Sequence, residues 1–171
     1  MTKNKVKVLS DAFEEQYGAA IEMLEQVVKI CPDEIWNDRS SGPPFWQVTY
    51  HTMWFLDWYL GGSKNERETF KPKYQEKPSL QESPEEIISR EQLKAYLLDI
   101  KKKGKKRFEE LTLDELIQPS VFEWHGSSIH SSLMYNLRHV MLHIGALHSR
   151  LLRKGIKLDN WVSQAPIMVK K

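Results

Sequence analysis

Cysteine is nearly absent: Cys31 is the single one in 171 residues. One thiol forms no internal disulfide and leaves no cysteine-rich zinc framework to consider. That usage suits a reducing cytosol. Cys31 precedes Pro32 at a helix end, so it reads as a small buried residue rather than a reactive thiol. Excess charge is missing as well. The formal net charge is +2, with 25 Lys and Arg against 23 Asp and Glu, which gives no electrostatic reason to expect a nucleic-acid partner. Long apolar runs are lacking. The richest stretch, Met53 to Leu60, is interrupted by Asp57, and no run approaches the roughly 18 residues a membrane span needs. The basic start, Met1 to Leu9, is not followed by an apolar segment of signal-peptide length. The expectation is a cytoplasmic protein with no membrane partner.

Aromatic residues, by contrast, are plentiful. Six Trp, six Tyr and six Phe supply large rings to anchor one core, and the length fits a single domain. Four segments have helical period. From about Ser10 to Ile30, Phe13, Tyr17, Ala20, Leu24 and Val27 fall on one face, with Ser10 or Asp11 as the expected N-cap and Pro32 as the stop. A second helix, Phe45 to Leu60, follows the irregular NDRSSGPP loop and carries rings almost all round. After a long polar connection, Ser63 to Ser83, that often marks a covered site or a bundle crossing, a helical turn is expected at Pro84 to Ile88. The third helix starts at Ser89, which forms a capping box with Gln92. The fourth runs from about Ser128 to Lys154, ending at Gly155. No segment alternates convincingly, although Val121 to His125 could form a short hairpin. The pattern predicts an all-α four-helix bundle: one domain over residues 1–171, with a core of about 8–155 and an irregular tail, 156–171.

Chemistry concentrates in histidine. Of the six, His130, His139, His143 and His148 fall between Ser128 and Lys154. At ~100° per residue, His139 and His143 differ by ~40° and point the same way one turn apart, whereas His130 and His148 lie ~180° from His139. A pair four apart can reach one ion. His51, midway along the ring-rich second helix, is costly to bury alone, and a metal would supply a partner for it. His51, His139 and His143 therefore form a candidate three-histidine metal site with an open fourth position, the arrangement of catalytic zinc. The competing readings are a backbone-bonded His51 and a chance pair. Three imidazoles alone do not select among zinc, nickel, iron and copper.

The second-helix stretch WQVTYHTMWFLDWYL, the third-helix SREQLKAYL and the fourth-helix LRHVMLHIGALHSRLLRKG together resemble the DinB/YfiT-like family of metalloenzymes over roughly residues 8 to 155. His143-Ile144-Gly145-Ala146-Leu147 is similar to that family's H-x-G-Q-[LI] pattern, with Ala146 where glutamine is usual. The resemblance implies an up-down-down-up bundle, a zinc or nickel ion near one end held by His51, His139 and His143, and often a homodimer. It implies relatives that include thiol S-transferases and an isomerase using a low-molecular-weight thiol cofactor, and others of no known activity.

Other features have plainer readings. The lysines of KKKGKKR, Lys101 to Arg107, sit out of phase with Leu97, Ile100, Gly104 and Phe108 and read as a solvated face, with Gly104 marking a close helix contact. Asp57 lies ~240° from His51 and cannot share its ion; it reads as a surface or N–H-accepting residue. Asn136 and Arg150, on the side of the histidine pair, either line the open position or form a polar flank. Trp46, Tyr50, Trp54 and Trp58 read as core rings first and cavity walls second. His125 and His130 read as exposed loop residues. Three functional classes stay open: a metal-dependent enzyme, as a thiol S-transferase or hydrolase acting on a small molecule; a non-catalytic metal-binding module; and a metal-free scaffold with a hydrogen-bonded histidine cluster.

Overall fold

The computed structural model describes residues 2–61, 64–74, 79–82, 84–120, 126–158 and 160–168, with side chains from Lys7 onward. The described residues form seven helices and no strand: α1 (Thr2–Ile30), α2 (Asp33–Trp36), α3 (Phe45–Tyr59), α4 (Lys64–Glu68), α5 (Arg90–Glu110), α6 (Leu113–Leu116) and α7 (Ile129–Arg153). The described residues are all-α. The expected hairpin at 121–125 lies outside the described residues.

The four long helices begin and end where elementary chemistry requires. Pro32, which has no N–H to continue the ladder, follows the last α1 bond, Cys31 N–H to Val27 C=O (3.2 Å). The start of α1 corrects the expected cap: helix runs back to Thr2, so Ser10 and Asp11 lie inside it. There the Ser10 hydroxyl bonds the Lys7 carbonyl and Asp11 pairs with Lys7. At α5 the capping box is complete, with Ser89 Oγ accepting from Gln92 N–H and Gln92 Oε1 from Ser89 N–H. Ser128 caps α7. At its other end Gly155, at φ +73°, makes a Schellman turn: its N–H bonds Leu152 C=O and the Ile156 N–H bonds Leu151 C=O. The helical turn expected at Pro84 to Ile88 does not form; bends run through it instead.

α1 packs against α5 and α7, and α3 packs against the same two. Tyr17 and Leu24 from α1, Trp46, Tyr50 and Met53 from α3, Leu93 from α5, and Leu133, Val140 and Ile144 from α7 fill the space between. Buried Thr49 and Thr52 bond the carbonyls of Phe45 and Val48 one turn back, so α3 can bury its polar side without orphaned hydroxyls. Part of the long connection is tied to the first turn of α3, where the Gln47 amide donates to Ser79 and Glu82 carbonyls at 2.6 and 2.8 Å. The tail is irregular yet docked. Ala165 N–H bonds the Glu15 carbonyl, and a Cβ on Gly18 would meet Ala165 O at 1.9 Å. Gly104 is tight for the same reason: its neighbours are Ile167 of the tail and Leu60, not a facing helix backbone.

The basic segment departs in part from a solvated face. Lys101 pairs with Glu25, Lys103 with Asp57 and Lys105 with Glu14, while Arg107 is buried and pairs with Glu115. Lys102 and Lys106 remain exposed.

Candidate metal centre

Two helices aim three imidazoles at one point. His51 stands midway along α3; His139 and His143 stand one turn apart on α7, the helix packed against it. His51 Nε2 lies 3.4 Å from His139 Nε2, and His143 Nε2 lies 3.1 Å from the same atom. The rings fan rather than stack, with interplanar angles of 43°, 70° and 75°. These spacings suit a shared cation. Nitrogens 2.0–2.1 Å from an ion are about 3.3–3.4 Å apart at tetrahedral angles and about 2.9 Å apart at right angles, which brackets the observed pair. A single N–H aims well at one acceptor, so one proton accounts for only one of the two close nitrogen contacts. The set could hold a metal ion.

The surroundings favour lone pairs. All three rings are half-buried. Burial, followed by repulsion from His51, pushes His143 down to about 4, so at neutral pH it is an uncharged imidazole able to donate an electron pair. Phe55 sits against both His51 and His139, with centroids at 4.7 and 5.0 Å. Tyr135 stacks on His139, nearly parallel at 11°. Among the described residues no carboxylate joins the cluster, so three neutral ligands would leave a bound ion its whole charge.

The sequence model of the DinB superfamily matches residues 16–147, well over half of the chain. The chain belongs to the DinB superfamily. No curated protein and no solved structure gives a significant match. The matched span contains α3, most of α7 and all three converging histidines.

Not every candidate residue of this DinB-superfamily protein reaches the centre. His148 is half-buried away from the pair, and the α7 residue His130 is exposed, set edge-on to Phe13; His125 lies outside the described residues. Arg150 is committed elsewhere: it donates to the carbonyls of Pro43 and Asp38 at 2.6 and 3.1 Å, tying the loop before α3 to α7. Asn136 is wholly buried beside Tyr17 rather than on a polar flank. Trp46 and Tyr50 are core rings. Asp57 accepts from Tyr96 Oη and Lys103 Nζ, each at 2.7 Å. The walls of the centre are instead Phe55 and Tyr135, and sequence reasoning passed over Tyr135. Phe55 follows His51 by four residues and Tyr135 precedes His139 by four, so the one-turn arithmetic that pairs the histidines brings Phe55 to His51 and would have found Tyr135.

Proposed function

We propose that His51, His139 and His143 hold one divalent ion, zinc or nickel, and that the protein is a metal-dependent enzyme transferring a low-molecular-weight thiol to an electrophilic small molecule. The observation that carries this reading is the convergence of three Nε2 atoms at 3.1 and 3.4 Å from two different helices. The same proposal takes the four long helices as an up-down-down-up bundle forming one domain, working in the cytoplasm as a homodimer. No helix among the described residues is long and apolar enough to cross a membrane.

When bound, the ion supplies Lewis acidity that favours the anionic form of a coordinated nucleophile. The chain's own residues then have simple tasks. The three neutral imidazoles fix the ion's place and leave a position open. Phe55 and Tyr135 narrow the approach and exclude water on two sides. Among the described residues no carboxylate stands with the histidines to take a proton, which favours a thiol, with a pKa of about 8.5, over water, at about 15.7, as the group to be activated. The same missing base supports a second reading, a metal-binding module without turnover.

Metal analysis of untagged protein tests the site. About one equivalent of metal per chain is expected, falling below roughly a tenth in His139→Ala. Thiol-consumption assays against electrophile panels then test the reaction. Absence of turnover with every common low-molecular-weight thiol, in metal-loaded protein, would leave the binding module.

A further inference from the structure

A separate cavity, of about 180 Å3, lies at the C-terminal end of α7, between that helix, α2 and the loop before α3. Arg150, Arg153 and Lys154 line it with Ser40, Ser41 and Asp38, over the buried side chain of Ile35. Three cations therefore face one carboxylate. That carboxylate already accepts the Ser40 N–H at 2.8 Å and stands 3.9 Å from Lys154. Neither arginine has an acidic partner among the described residues: Arg150 bonds two main-chain carbonyls, and Arg153 Nε bonds the Ser149 carbonyl at 3.2 Å. A helix C-terminus ordinarily repels anions, but here the Leu151 and Leu152 carbonyls are taken up by the Schellman turn. What remains is a small pocket with net positive charge and two hydroxyls.

We propose that this pocket is a binding site for a phosphate group, free or as the end of a small phosphomonoester. A tetrahedral oxyanion takes donors from several directions at once, which matches guanidinium forks, an ammonium and hydroxyls arriving from a helix and a facing loop. The volume is below the roughly 300–1,000 Å3 of sites that enclose a drug-sized ligand, so the pocket suits one such group rather than a nucleotide. Arg150 does double duty: its bonds to Pro43 and Asp38 set the loop that carries Ser40 and Ser41, so a bound phosphate would brace the segment leading into α3.

The test uses full-length protein stripped of metal with a chelator, so that no phosphate–metal contact contributes. Inorganic phosphate is titrated at constant ionic strength, followed by calorimetry and thermal unfolding. Saturable binding is expected, weakened at least roughly tenfold in Arg153→Ala/Lys154→Ala and strengthened severalfold in Asp38→Asn. The strengthening arm cannot arise from misfolding. Equal responses in all three proteins would show a general salt effect and overturn the proposal, as would a lack of saturation in the parent. A glycerol phosphate arm separates the two sources: tighter binding than inorganic phosphate points to a monoester end, weaker binding to the free ion. The His139→Ala variant should bind phosphate as the parent does, which keeps this result independent of the metal centre.

Discussion

Six residues apart on α3, His51 and Asp57 sit in two polar clusters built on opposite principles. Asp57 is a closed account of charge and protons: its carboxylate takes Tyr96 Oη and Lys103 Nζ at 2.7 Å each, and its main-chain carbonyl accepts from the same lysine. Every partner complements it. His51 instead meets two residues of its own kind, nitrogen facing nitrogen at a common point. The first arrangement needs nothing more and holds α3 to α5. The second makes sense as a set of ligands. Burial and polarity alone do not mark a functional site; whether the polar groups satisfy one another does.

The difference can be broken at either end. Chelation should have the largest effect. Metal present at a thousandfold excess over its dissociation constant stabilises the fold by about 4 kcal/mol, so stripping it should lower the unfolding midpoint by roughly 10 °C, whereas His139→Ala should give the same midpoint with and without chelator. Asp57→Ala should come next, costing about 2–3 kcal/mol in denaturant titration, because it leaves the buried Tyr96 hydroxyl without its acceptor and Lys103 with only the main-chain carbonyl of residue 57. Chelator should add its full effect to that variant, since the two clusters share no partner. Equal sensitivity of both clusters to chelation would erase the distinction. A third, smaller effect is acid-dependent. His143 has a folded-state value of about 4 against about 6.5 unfolded, so the unfolded chain binds the proton more readily. The metal-free protein should be fully stable in this respect above pH 6.5 and lose stability as pH falls toward 4, and His143→Gln should flatten that part of the profile. The smallest effect concerns the tail. Gly18→Ala puts a methyl onto the Ala165 carbonyl, and about 1 kcal/mol of stability should go, with earlier proteolysis beyond Gly155 as the readout.

Much of this could be read from the chain because it depends on local rules. The α5 capping box, the α7 cap at Ser128, the glycine stop at Gly155 and the one-turn spacing of His139 and His143 are each set by residues within a turn or two. What escaped reading depends on distant partners. Nothing local announces that Arg150 will bond carbonyls at positions 38 and 43, that Arg107 will turn inward to Glu115, or that Gly104 makes room for Ile167. The start of α1 was missed for the opposite reason. A capping residue is a strong local signal, but Ser10 and Asp11 found other partners within a helix that had already begun.

The strap formed by Ala165 and Ile167 has a consequence for biosynthesis. It closes over Gly18 of α1 and Gly104 of α5, so the seam between those two helices is sealed by residues translated after all four long helices. While residue 167 is still inside the ribosome, a nascent chain that has already gathered its histidines would keep two glycine-lined patches open to water and to chaperones.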